Sequence, residues 1–308
     1  MKVVALAGGV GGAKLAHGLA QVLSPQELTL VVNTGDDFEH LGLHISPDLD
    51  TVMYTLAGLA HAETGWGLAG ETWNFLEALG RLGGDTWFRL GDRDLATHVE
   101  RSRRLWAGAT LTEVTAVLCA ALGVGPRILP MTDDIVQTRV RTSAGELDFQ
   151  EYFVHQQCRP RVTGFRFAGL ESATATDQVL AAIASADLAV FCPSNPFVSL
   201  DPILSLPRVR EGLAPRRVVA VSPIVGGQAL KGPAAKMFAE LGLEVSALAV
   251  ARHYTGLLRS FVIDTADEAL APEIREGGPR VLVTNTIMKT AADRARLASE
   301  MLKFGMTE

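Results

Sequence analysis

The chain has 308 residues, 48% of them hydrophobic and 20% charged, with a formal net charge of -6. That length and balance suit one large α/β domain with an inserted or appended subdomain and a substantial core. The acidic balance leaves no general basic footprint for nucleic acid. Cys119, Cys158 and Cys192 are too few and too scattered for a disulfide framework or a CxxC zinc site, and they fit a reducing compartment.

Val3–Ala7 is a short apolar run that ends in glycines, so it reads as a buried strand rather than a signal peptide. Residues 13–23 carry apolar side chains at helical spacing, and Leu28–Val32 is a second β-branched run. Strand, glycine-rich turn, helix and strand make a βαβ opening, which implies a parallel sheet. Helical patterns follow at residues 50–59, 71–82, 95–106 and 111–122. A hairpin is expected next, with residues 136–142 and 147–154 as its arms and residues 143–146 as the turn. Apolar runs at 188–191, 218–221, 245–250, 260–263 and 281–283 then resume the sheet, and residues 291–304 form a last helix.

The expected fold is therefore α/β, a Rossmann-like, doubly wound and mostly parallel sheet built from both ends of the chain. Residues from about 50 to 160 form an inserted helical and hairpin subdomain over its ligand edge. No stretch of about 18 apolar residues suggests a membrane span. A soluble cytoplasmic protein is expected, with a homodimer as the default assembly.

Six loops carry candidate chemistry. Gly8-Gly9-Val10-Gly11-Gly12 follows a strand and opens a helix, a context that suits phosphate binding better than a bare tight turn. Its spacing is neither G-x-G-x-x-G nor a Walker loop, which argues against an NAD dehydrogenase. Asn33-Thr34-Gly35-Asp36-Asp37 ends the second strand with two carboxylates, either a hard-cation site or an Asp-rich turn. In Ser46-Pro47-Asp48-Leu49-Asp50, Asp48 reads as a helix cap, while Asp50 can join the acidic pair around Mg²⁺. Trp87-Phe88-Arg89 suits a flat heterocycle or a surface turn equally. Arg101, Arg103 and Arg104 read as a solvated helix face, and His44 and His98 as structural. Cys192-Pro193-Ser194-Asn195-Pro196 and Ser222-Pro223-Ile224-Val225-Gly226-Gly227 each follow a strand; Cys192 reads as an inert buried thiol.

Taken together, GGVGGAKL, NTGDD, HLGLHISPDLDTVMYTL, ETWNF, WFRLGDRDLATH, LPMTDD, FQEYFV, PSNPFVSLDPIL and SPIVGGQALKGPA resemble, in that order, the 2-phospho-L-lactate transferase family. The resemblance covers most of residues 1–240. It implies transfer of a phospholactyl or related group from a guanosine diphosphate conjugate to the deazaflavin Fo. GMP is released, in the biosynthesis of the coenzyme F(420). It implies Mg²⁺, with Asp36 and Asp50 as its expected ligands, and Fo binding through Asp50 and Arg89. It also implies GDP binding through Gly9, Gly11, Gly12, Asn33, Ser194, Asn195, Gly226 and Gly227. The donor acid stays open among phospholactate, phosphoenolpyruvate and phosphoglycerate. The rival expectation is a non-catalytic regulatory protein of the same fold that binds UDP-sugars; it should lack the ISPDLDT and WFRLGDRDLATH stretches.

Overall fold

A computed structural model of the chain describes residues 1–307. The apolar runs Val3–Ala7, Leu28–Val32, Leu188–Phe191 and Val218–Val221 are strands with almost every residue buried. Such strands need cover on both faces, and parallel pairing satisfies their backbone groups. Seven strands form the main sheet. Its order is Arg280–Thr284, Ser260–Asp264, Val218–Val221, Leu188–Phe191, Val3–Ala7, Leu28–Val32 and Arg127–Pro130, and every pairing is parallel.

Alternation along the first strand sorts its two faces. Val3, Ala5 and Ala7 pack with Leu15 and Leu19 of the helix Gly9–Val22 and with Leu297 and Met301 of the helix Ala291–Met306. Val4 and Leu6 join Val179 and Ile183 of the helix Asp177–Ser185 on the opposite face. The doubly wound expectation therefore holds. Gly18 allows the first and last helices to touch, because a Cβ there would lie 2.6 Å from the carbonyl carbon of Arg294.

The middle of the chain contains the expected helices, at Pro47–Leu56, Asn74–Arg81, Asp92–Trp106 and Leu111–Ala121. The expected hairpin is Gln137–Thr142 with Gly145–Asp148, and Val162–Ala168 adds a third antiparallel strand. Its second arm is shorter than the alternation suggested, since Glu151–His155 winds into a π-helical turn.

Three further differences matter. Arg127–Pro130 joins the main sheet as an edge strand, although it lies inside the segment assigned to the insertion. Residues 245–250 are not a strand. They enter the helix Ala247–His253, which Ser246 caps by accepting from the Ala249 N–H, and a short apolar run carries no period that separates the two. Phe38–His40 and Leu43–Ile45 form a small hairpin whose turn holds Leu41 at φ 54° and Gly42 at φ 74°. No helix among the described residues is long and apolar enough to cross a membrane.

Val3–Ala7 has Leu28–Val32 on one side and Leu188–Phe191 on the other, so the winding direction reverses at this strand. The loops leaving the three strands meet at their C-terminal edge, where open α/β sheets place ligands.

Candidate active site

The glycine turn is a meeting point of three loops. Ser194 Oγ accepts from the Gly8 N–H at 3.0 Å and donates to the Gly8 carbonyl at 2.8 Å. A Cβ at Gly12 would sit 2.5 Å from Ser194 Oγ, and one at Gly11 would overlap the Pro193 carbonyl oxygen. Asp48 Oδ1 accepts from the Gly9 N–H at 2.6 Å. Asp48 does cap a helix, as its sequence context suggests, but the helix is Gly9–Val22 rather than its own. The carboxylate thus takes the favourable end of the neighbouring helix dipole. Ser46, at the cap position of Pro47–Leu56, donates instead to Asp37 Oδ2 at 2.7 Å.

Asn33 organises the acidic turn. Its amide nitrogen donates to Asp36 Oδ1 and Asp48 Oδ2, both at 3.0 Å, and to the Val198 carbonyl at 3.2 Å; its oxygen accepts from the Gly35 N–H at 2.8 Å. Asp36, Asp37 and Asp48 are all buried. Burial, then the charges of Asp48 and Asp37, push the Asp36 carboxyl well above its usual range. Burial likewise raises Asp48 to about 6, against the lowering effect of its bonds from Asn33 and Gly9. Burial also raises Asp37, against its bonds from His44 and Ser46. Asp37 Oδ1, Thr34 Oγ1 and Thr138 Oγ1 are buried without a hydrogen-bond partner. Asp37 Oδ1 is thus the one carboxylate oxygen of this turn left over, an acceptor that a hard cation or a donor could take up.

Asp50 lies in the same first helical turn as Asp48 and meets a different partner. Both of its oxygens accept from the guanidinium of Arg101, Oδ2 from Nη1 at 3.1 Å and Oδ1 from Nη2. Arg101 is 1% exposed, which corrects its reading as part of a solvated face; Arg103 and Arg104 do lie outside, paired with Glu100. His98 Nδ1 lies 3.3 Å from Arg101 Nη1, and its Nε2 is 3.3 Å from Asp94 Oδ1, which accepts from Tyr54 Oη at 2.7 Å. Nη1 can only donate, so Nδ1 is the accepting nitrogen of that contact, while Nε2 is buried beside Asp94 without a hydrogen bond. Asp50, Asp94 and His98 have the spacing of a metal group, but the guanidinium already supplies the positive charge there.

Arg89 is exposed, with its guanidinium 4.2 Å from the centre of the Trp73 ring. Trp87 stacks on His155 at 5.1 Å and meets His40 edge-on at 5.3 Å, so this segment presents aromatic faces beside the arginine. Asn195 caps the turn after it, accepting from the Phe197 N–H at 3.0 Å. Gly226 and Gly227 form the two-residue turn of a hairpin at φ 55° and 74°, and the Gly226 N–H donates to both oxygens of Asp267 at 3.1 Å. Cys192 is buried, and burial pushes its thiol up, as an inert core thiol requires.

A family model described as "2-phospho-L-lactate transferase CofD" matches residues 3–300. The chain belongs to this family. The transferase is 44% identical to a phosphoenolpyruvate transferase of Kitasatospora aureofaciens over 310 residues, covering 97% of both chains. It is 39% identical to a 2-phospho-L-lactate transferase of Methanosarcina acetivorans, again over 97% of both. A crystal structure of a Bacillus halodurans protein shares the fold, with a TM-score of 0.64 at 14% identity over 98% of this chain and 99% of that one.

Within this transferase the structure brings Gly9, Asn33, Asp36, Asp48 and Ser194 into one bonded cluster, while Asp50 is bonded to Arg101. Gly226 and Asn195 serve loops of their own. Around Asp50 the structure gathers Arg101, read in the sequence as solvated, His98, read as structural, and Asp94 and Tyr54, which the motifs did not single out. Their signal was available: positions 94, 98 and 101 share one helix face, opposite Glu100 and Arg103.

The acidic cluster has a pH signature. Asp36 and Asp48 hold protons to higher pH in the folded than in the unfolded chain. Between the unfolded value of about 4 and the folded value of about 6 for Asp48, the folded state therefore binds more protons. Stability then falls as pH rises through that window. Asp36→Asn removes one carboxylate of the pair. The metal-free variant is expected to melt above the unaltered protein at about pH 8 and to change less between about pH 5 and pH 8. Thermal melts across that range check this; a variant with an unchanged slope would detach the pair from the pH dependence.

Proposed function

We propose that the protein transfers a phosphoenolpyruvate-derived group from a guanosine diphosphate conjugate to Fo and releases GMP. The single observation carrying this reading is near full-length similarity to phosphoenolpyruvate transferases at 42–44% identity, against 37–39% for 2-phospho-L-lactate transferases. The acidic cluster at the ligand edge supports the same chemistry.

The terminal ribityl hydroxyl of Fo attacks the phosphorus that bears the organic acid. A new O–P bond forms, the bond from that phosphorus to the bridging oxygen breaks, GMP leaves with that oxygen, and the hydroxyl proton passes to water. The nucleotide sits at the C-terminal edge of the sheet, over the contact between the loops at 8–12 and 193–195. Asp50 orients the hydroxyl. Arg89 and the aromatic faces around Trp73 and Trp87 hold the flat ring. Of the two expected ligands, Asp36 is the one free of the Arg101 fork, and Mg²⁺ would be held there. Mg²⁺ would neutralise charge on the diphosphate and on the departing GMP. No covalent nucleophile is needed, since positioning and charge stabilisation carry such transfers.

Asp50→Asn is expected to lower kcat by about 10²-fold or more, read as deazaflavin product by mass spectrometry. A variant at full rate would remove Asp50 from the reacting centre.

A further inference from the structure

We propose that Arg101 is the positioning residue of the transfer site, fixing the Asp50 carboxylate in the one orientation from which it can align the acceptor hydroxyl. The inference rests on the reading of Asp50 given above. A guanidinium holds a carboxylate in a defined plane when both oxygens are engaged, and Arg101 engages both. Lysine, a point charge on a flexible stem, cannot reproduce that plane.

The arginine is itself held from behind. His98 Nδ1 lies against its Nη1, and His98 is backed by Asp94, which Tyr54 and the Glu71-bonded backbone N–H of Asp94 hold in place. Arg101 has no solvent to swing into, being 1% exposed. Tyr54 lies one turn after Asp50 on Pro47–Leu56, so two polar rungs, Asp50 to Arg101 and Tyr54 to Asp94, tie that helix to Asp92–Trp106.

A structural tie alone would be cheaper without charges. Buried ion pairs are often matched or bettered in stability by apolar side chains of the same volume. Arg101 also leaves its Nε buried without a partner, a cost that an optimised packing element would avoid. Both features are those of a group retained for what it does to Asp50.

The test is steady-state turnover of Arg101→Lys, Asp50→Glu and Val52→Ala beside the unaltered enzyme, with Fo, Mg²⁺ and the guanosine diphosphate conjugate. Val52→Ala thins the apolar packing of the same helix without touching the fork. Arg101→Lys should lose about 30-fold or more in kcat, with KM for the donor within about threefold. Val52→Ala should keep kcat within about threefold. Equal losses in the two, or an undiminished Arg101→Lys, would overturn the proposal. If Arg101→Lys does not fold, Asp50→Glu decides: it keeps both charges and moves the carboxylate by one methylene. A folded Asp50→Glu at full kcat would overturn the proposal, and a loss of about 30-fold would sustain it. Absence of turnover in the unaltered enzyme would instead overturn the transferase chemistry, and this inference with it.

Discussion

Arg101→Met is expected to cost about 3–5 kcal/mol of stability, the usual penalty for stripping one partner from a buried ion pair. Methionine fills much of the arginine's volume, so the loss is not mainly a cavity. It comes from leaving Asp50, 5% exposed, without its guanidinium. Removing the charge from the other side should restore much of the loss. The double variant Asp50→Asn with Arg101→Met is expected to be more stable than Arg101→Met alone, because no isolated charge is left in the interior. Urea unfolding of the three chains measures this. A single variant within about 1 kcal/mol of the parent would mean that water or another cation already compensates Asp50.

Gly11→Ala sets two effects against each other, and their magnitudes decide the sign. Gly11 lies in the first turn of Gly9–Val22. On helix propensity alone, alanine would add up to about 1 kcal/mol. The new Cβ, however, would overlap the carbonyl oxygen of Pro193, which is backbone of the adjacent loop. Overpacking of this kind costs about 1–3 kcal/mol or more, and a backbone atom cannot rotate out of the way. A net loss of stability is expected, together with lost turnover, since Ser194 and Asp48 reach the glycine turn through the same close approach. A stabilised variant would contradict this view of the glycines.

The scaffold was legible in the sequence wherever local pattern decides structure. Strand, glycine turn, helix and strand at residues 3–32 announce a parallel sheet, and the ligand edge follows from topology. What local pattern does not carry is reach across the fold. Nothing near Asp48 says that its carboxylate caps the first helix, because the partner N–H belongs to Gly9, on a different loop. The glycines were singled out as a phosphate-binding turn. In the structure what approaches them is Asp48, Pro193 and Ser194. Arg101 was hidden by its neighbours: three arginines within four residues look like a charged surface until the helix is wound and one turns inward. The strand Arg127–Pro130 is too short, and bounded by too ordinary an arginine and proline, to stand out before its partner Leu28–Val32 is known.

The most direct test is turnover of the purified protein with Fo, Mg²⁺ and each candidate guanosine diphosphate conjugate, followed by mass spectrometry. A phosphodiester-linked deazaflavin together with GMP, formed fastest from the phosphoenolpyruvate conjugate, is the predicted result. No product from any conjugate, with the melting temperature raised by UDP-N-acetylglucosamine and not by GDP, would contradict the account and point to a sugar-nucleotide-binding protein of the same fold.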